Sequence, residues 1–164
     1  MTIFIKNKYT LLIDEFKFKC CIGKKGSSSN KKEGDKRTPK GTFGIENLYF
    51  RKDRKEKPKT LLKCITIKKN MSWCDDPKSK HYNQLIYISK KKIKCEKLYR
   101  KDRKYDILIE LDYNRKKIIP LKGSAIFLHL TNNYKPTAGC IAISENDMKI
   151  LIKILNKKNH IKVD

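Results

Sequence analysis

Two side chains near the C-terminal end of the chain could do chemistry together. Cys140 sits in Thr137-Ala138-Gly139-Cys140-Ile141-Ala142-Ile143, eleven residues after His129, which lies in the apolar run Gly123-Ser124-Ala125-Ile126-Phe127-Leu128-His129-Leu130. A thiolate is the nucleophile that needs least help, and an imidazole within reach supplies it by taking the thiol proton. Residues 131–136 are enough to turn the chain so that the two flanking strands come to face each other. Gly139 lets the backbone bend so that consecutive N–H groups aim at one spot, where an oxyanion develops during acyl transfer. No acid adjoins His129 in sequence, so a backbone carbonyl, that of Leu130, is the expected orienter of the ring. On the pair alone, a structural histidine and a buried thiol are the commoner explanation.

The elements that would position this pair are mostly strands. Period-two alternation, rich in Ile, Leu, Phe and Tyr, marks residues 10–22, 60–67, 84–89, 105–111, 125–130 and 140–143. The longest polar connection, 23–44, holds Gly26-Ser27-Ser28-Ser29-Asn30 and Gly34-Asp35-Lys36-Arg37-Thr38-Pro39-Lys40-Gly41, a length that marks either disorder or part of a site. One helix is expected. Ser144-Glu145-Asn146-Asp147 resembles a capping box, Met148, Leu151, Ile152 and Leu155 follow at helical spacing, and Lys157-Lys158 suit the negative end of the dipole. A last short strand is expected over 160–164. The sequence shows no internal repeat, so one mostly β domain over residues 1–164, with a late helix packed on the sheet, is the expected architecture.

Composition narrows the function classes. The 164 residues carry 41 Lys plus Arg against 17 Asp plus Glu, a net charge of +24, which attracts phosphates whatever the fold. The excess is 35 Lys and only 6 Arg, spread along the whole chain, whereas base and phosphate recognition favours arginine's bidentate fork. Specific nucleic-acid binding is therefore not expected. A hydrophobic fraction of 38% is too rich for a disordered chain, and no apolar run approaches the roughly 20 residues a membrane helix needs. The opening Met1-Thr2-Ile3-Phe4-Ile5-Lys6-Asn7-Lys8 lacks a leader pattern; the expected location is cytoplasmic for the chain as it stands, or the cell envelope if the true start lies upstream. Six cysteines without a CxxC or a histidine at finger spacing argue against both a disulfide scaffold and a metal site, so Cys20, Cys21, Cys64, Cys74 and Cys95 are expected as small buried or half-buried thiols.

Two separate motifs then resemble one family. Thr137-Ala138-Gly139-Cys140-Ile141 with His129 upstream is similar to the catalytic signature of the L,D-transpeptidase (YkuD) family, and Gly34-Asp35-Lys36-Arg37-Thr38-Pro39-Lys40-Gly41-Thr42-Phe43 is similar to its Gly-Asp-x-x-Thr-Pro-x-Gly-x-Phe segment. Tyr49-Phe50-Arg51-Lys52-Asp53-Arg54, Trp73-Cys74-Asp75-Asp76-Pro77 and Tyr82-Asn83 look like blocks of its short, single-domain members. Ala138 and Ala142 stand where the family commonly has His and Arg.

The resemblance implies a β-sandwich of mixed sheets with one C-terminal helix, and cysteine acyl transfer on peptidoglycan stem peptides, with no metal or organic cofactor. By it, Cys140 attacks the L-centre carbonyl of diaminopimelate in a tetrapeptide stem, and D-Ala leaves protonated by His129. The N–H groups of Gly139 and Cys140 hold the oxyanion, and the thioester passes to water or to an amine. Candidates for the substrate's carboxylates are Arg54 and Arg51, with Lys40 and Lys135 behind them. Trp73 would form either a groove wall or core. Asp75, Asp76 and Asn83 would recognise the diaminopimelate amine or cap the turn before Pro77. Thr137 is placed at the substrate groove, and with Thr38 it is expected to fix loops through its hydroxyl. A monomer is expected. The competing class is a non-catalytic basic module that binds cell-wall or nucleic-acid polyanions.

Overall fold

A short alternating run closed by a polar turn is the repeating local device of the N-terminal region. β1 (Thr2–Asn7) turns into β2 (Thr10–Ile13), with Asn7 Oδ1 accepting the Tyr9 N–H at 2.9 Å, and β2 turns into β3 (Phe16–Cys21) at Asp14, whose φ is 48°. The single strand expected over 10–22 is therefore a hairpin, because Asp14-Glu15 supplies a turn inside an otherwise continuous alternation. The computed structural model describes residues 1–88 and 94–164. The remaining strands are β4 (Ser27–Ser28), β5 (Thr38–Pro39), β6 (Gly41–Phe50), β7 (Cys64–Thr66), β8 (Met71–Cys74), β9 (Leu85–Tyr87), β10 (Cys95–Lys97), β11 (Ile107–Leu111), β12 (Phe127–Leu130) and β13 (Ile141–Ile143). The helix α1 (Glu145–Ile154) and β14 (His160–Val163) close the chain.

The described residues are mostly β, 38% strand against 6% helix, in mixed sheets. In the main sheet, β6 pairs antiparallel with both β11 and β14, and the path from β11 runs through β12, β13, β3, β2 and β1 back to β14. The sheet thus folds over a shared core; β1–β14, β12–β13 and β6–β7 are its parallel pairs. Alternation fills that core: Ile3, Ile5, Leu11, Ile13, Ile161 and Val163 all point into it. Ser144 caps α1, accepting the Asp147 N–H at 3.1 Å, and Met148, Leu151 and Ile152 bury its apolar stripe in the same core.

Several elements differ from expectation. β6 lacks clean alternation, its burial interrupted at Glu46-Asn47, and its first residues overlap the end of the polar connection 23–44. β8 is four residues buried on both faces, a pattern without period. The strand expected over 84–89 is Leu85–Tyr87, with Ser89 outside the described residues.

A second sheet, in the order β10-β8-β9, covers the face of β11 and β12 opposite the main core. Ile107, Ile109 and Leu111 face the main core, while Leu108 turns to this second layer; on β12, Leu128 and Leu130 face the core, and Phe127 packs edge-on against Trp73 at 5.1 Å. Asn83 ties the layers together. Its Oδ1 accepts the Trp73 Nε1–H at 2.9 Å and the Ala125 N–H at 3.1 Å, and its Nδ2 donates to the carbonyls of Tyr113 and Asn114 at 3.1 and 2.8 Å. Ala125 itself has φ 53°, a left-handed conformation that costs an alanine on the order of 1 kcal/mol and needs such a restraint.

Replacing Asn83 with Ala leaves the Trp73 and Ala125 donors unsatisfied in the interior. We expect a loss of about 2–4 kcal/mol, read as a melting temperature lower by about 5–15 °C; a change under about 2 °C would show that the tie carries no weight.

Candidate active site

The parallel pairing of β12 with β13 decides which groups share a face. His129 is in register with Ala142, and Cys140 lies two residues before Ala142, so both side chains leave the sheet on the side opposite the core-facing Leu128 and Ile141. Both line a cavity of about 440 Å³. His129 Nδ1 bonds the Leu130 carbonyl at 2.8 Å; a carbonyl only accepts, so the neutral ring carries its proton on Nδ1 and leaves Nε2 as the acceptor. The Cys140 Sγ donates to the Ala125 carbonyl at 3.1 Å, so in this state the thiol is turned to the backbone before β12.

Gly139 allows the cysteine loop to seat. Its φ of 152° is a backbone conformation that L side chains rarely adopt, and a Cβ there would also stand 2.9 Å from the Arg37 carbonyl oxygen. Thr38, fully buried, accepts the Gly23 N–H at 2.9 Å and donates to the Gly139 carbonyl at 2.8 Å, tying the Gly34 to Gly41 segment to the cysteine loop. Thr137 Oγ1 accepts the Gly139 N–H at 3.1 Å and donates to the Cys140 carbonyl at 2.6 Å. Asp35 holds the turn before Thr38 by accepting from Lys31 Nζ, Lys32 N and Arg37 N at 2.7–2.9 Å.

Burial sets the resting charge state. It pushes the Cys140 thiol up to about 12, with the Glu96 carboxylate adding to the effect. It pushes the His129 imidazole down to about 4, helped by the cations Lys104 and Arg100, against the Leu130 hydrogen bond. At neutral pH the site is therefore a neutral thiol beside a neutral imidazole.

The substrate-side candidates separate into two groups. Thr137, Asp75 and Lys135 line the cavity with Cys140, His129 and Gly139. Burial raises the Asp75 carboxyl, and its buried Oδ1 has no hydrogen-bond partner among the described residues. The others lie elsewhere. Arg51 is buried under the Tyr99 ring at 3.4 Å and pairs with Asp53 at 2.7 Å and the Arg100 carbonyl at 2.7 Å. Arg54 pairs with Asp106 at 2.9 Å and lines a different depression, beside Lys52 and Lys57. Trp73 and Asn83 belong to the packing between layers. Asp76 caps a turn by accepting the Lys78 N–H at 3.0 Å. Lys40 is exposed and is not part of the wall.

Sequence reasoning passed over Glu96, Arg100, Lys104 and Tyr105 on this wall. Glu96 lies on the three-residue β10, and Tyr105 just precedes β11, so no motif spacing joins them to Cys140. Among the described residues no group of three His, Cys, Asp or Glu side chains is arranged to hold a metal, all six cysteines are free, and no helix is long and apolar enough to cross a membrane.

The model of a family described as YkuD, L,D-transpeptidase catalytic domain, matches residues 2–163. No curated protein and no solved structure matches the chain.

The depressed imidazole has a stability consequence. His129 titrates near 6.5 when unfolded and about 4 when folded, so stability is complete above the unfolded value and is lost as pH falls toward the folded one. Between about pH 7 and 4, unfolding free energy should fall by about 3 kcal/mol more in the wild type than in His129→Gln. Denaturant titrations across that window check it; parallel curves would show that the ring is not held neutral.

Proposed function

Because the chain belongs to the L,D-transpeptidase catalytic-domain family, we propose that its cavity performs cysteine-dependent acyl transfer on peptidoglycan stem peptides, with Cys140 as nucleophile and His129 as base. The observation that supports this most is that one cavity wall carries both groups, with Nδ1 of the ring committed to the Leu130 carbonyl and Nε2 left to take a proton.

In this reading the thiol swings from the Ala125 carbonyl toward the cavity and passes its proton to His129 Nε2 as it attacks the L-centre carbonyl of diaminopimelate in a tetrapeptide stem. The tetrahedral intermediate collapses to a thioester, and D-Ala departs with the proton returned from His129. Because the Gly139 N–H is engaged by Thr137 Oγ1, we assign the oxyanion to the Cys140 N–H, and Thr137 to holding that loop in place. Lys104 and Lys135 are the wall cations we assign to the stem's carboxylates, and Asp75 to its amine. Water then releases a tripeptide, as an L,D-carboxypeptidase does, or the amine of a second stem forms a cross-link. The +24 charge favours approach of a substrate rich in carboxylates.

Incubation with disaccharide-tetrapeptide followed by mass spectrometry tests the reading. Loss of D-Ala marks hydrolysis and a cross-linked dimer marks transfer, while an unaltered substrate with retained binding favours a non-catalytic wall-binding module. Cys140→Ala should lower turnover at least about a thousandfold, and substantial turnover in that variant would remove Cys140 as the nucleophile.

A further inference from the structure

Beside the imidazole, the same cavity wall holds a hydrogen-bonded pair that the acyl-transfer scheme does not use. The Tyr105 hydroxyl donates to the Glu96 carboxylate, and the Tyr105 ring lies edge-on to His129 at 5.1 Å and to Phe127 at 6.0 Å. Arg100 sits over the same ring at 5.0 Å and lies 3.9 Å from Glu96. Tyr105 is almost wholly buried and belongs to the packed cluster that contains Cys140. All of these side chains except Phe127 line the cavity with the thiol.

We propose that Tyr105 is a third catalytic side chain, whose hydroxyl changes acceptor from Glu96 to the Cys140 sulfur when the thiol ionises, and that Glu96 is the residue that positions it. The inference rests on Cys140 being the nucleophile. The step moves no covalent bond on Tyr105. The Cys140 proton goes to His129 Nε2, while the phenolic O–H keeps its proton and rotates from carboxylate to thiolate, replacing one charge-assisted hydrogen bond with another. The groups around the sulfur fit this account. Glu96 from β10 opposes the thiolate, the Phe127 N–H, the Tyr105 hydroxyl and the cation of Lys31 favour it, and His129 from β12 receives the proton with Lys104 and Arg100 opposing its charge and Asp102 favouring it. Burial pushes the Glu96 carboxyl above the usual carboxylate range while the Tyr105 hydroxyl and the Arg100 cation oppose that shift; in its charged form Glu96 restrains the thiol directly by its charge and indirectly by occupying the hydroxyl. A substrate group that neutralises Glu96 would release both restraints at once.

The test reads Cys140 itself, by peptide-resolved mass spectrometry of iodoacetamide alkylation over about pH 7 to about 9. Tyr105→Phe keeps the ring and removes the hydroxyl; alkylation of Cys140 should slow about tenfold at each pH, the size of one hydrogen bond to a charged sulfur. Glu96→Gln keeps a partner for the hydroxyl but removes the charge, and should speed alkylation about tenfold. An unchanged rate in Tyr105→Phe with a wild-type melting temperature overturns the proposal, as does a slower or unchanged rate in Glu96→Gln. In parallel, Tyr105→Phe should lower kcat on disaccharide-tetrapeptide with little change in KM. If both alkylation shifts appear while the wild type leaves that substrate intact, the coupling of Tyr105 and Glu96 to the sulfur stands and the assigned reaction falls.

Discussion

Two parallel strands joined by ten residues place a constraint on everything around the cavity. β12 ends at Leu130 and β13 begins at Ile141, and the chain between them must travel back the length of a strand before pairing in parallel. Such a return commonly takes a dozen residues or more, with a helix in the crossover. Here it is made by a loop pinned at both ends: the Thr131 N–H bonds the Ile143 carbonyl at 2.7 Å, and the Thr137 N–H bonds the Ile22 carbonyl at 2.9 Å. Asn133 and Tyr134 adopt φ of 52° and 53° to make the reversal. The loop passes over the outer face of the sheet and becomes the cavity wall itself. The same pairing that sets His129 level with Ala142 therefore also delivers Cys140 to the floor beneath that wall.

The loop cannot be seated by its own residues. It leans on the Gly34 to Gly41 segment, distant in sequence, through Thr38, whose hydroxyl is at once an acceptor for Gly23 and a donor to Gly139. Glycine is required at both contact points, because a Cβ on Gly23 would stand 2.6 Å from the Lys36 carbonyl oxygen, as one on Gly139 would crowd that of Arg37. The two motifs that stand far apart in sequence are thus a single structural joint. A polar segment of that length, ambiguous as a string of turn residues, is ordered because its backbone forms the other half of the mount that holds Cys140.

This explains what could be read in advance and what could not. The helix was legible because its information is local: a hydroxyl cap at Ser144, acids in the first turn, and Met148, Leu151 and Ile152 on one stripe. The Leu130 carbonyl as the partner of the imidazole was legible because no acid adjoins His129 in sequence. β6 and β8 were not, since one borrows its order from three neighbouring strands and the other is buried on both faces. Arg51 and Arg54 illustrate the opposite hazard. Their charge suggested a ligand, yet Asp53 and Asp106 are their partners and the Tyr99 ring covers Arg51. A sequence shows a cation but not the carboxylate that the fold has already assigned to it.

The electrostatic state of the site follows from the same burial that orders it. Removing water from a thiol and an imidazole disfavours the charged form of each, so the ion pair that would make the thiol reactive is the state the interior opposes most. The surrounding lysines do not resolve this, because a cation near the sulfur helps the thiolate while Lys104 and Arg100 near the ring hinder the imidazolium. Two groups work the other way, Asp102 on the imidazolium and Lys31 on the thiolate, and neither outweighs burial. The cavity wall mixes signs at short range, with Arg100 standing 3.9 Å from Glu96, so each charge near the pair is already partly answered by its neighbour.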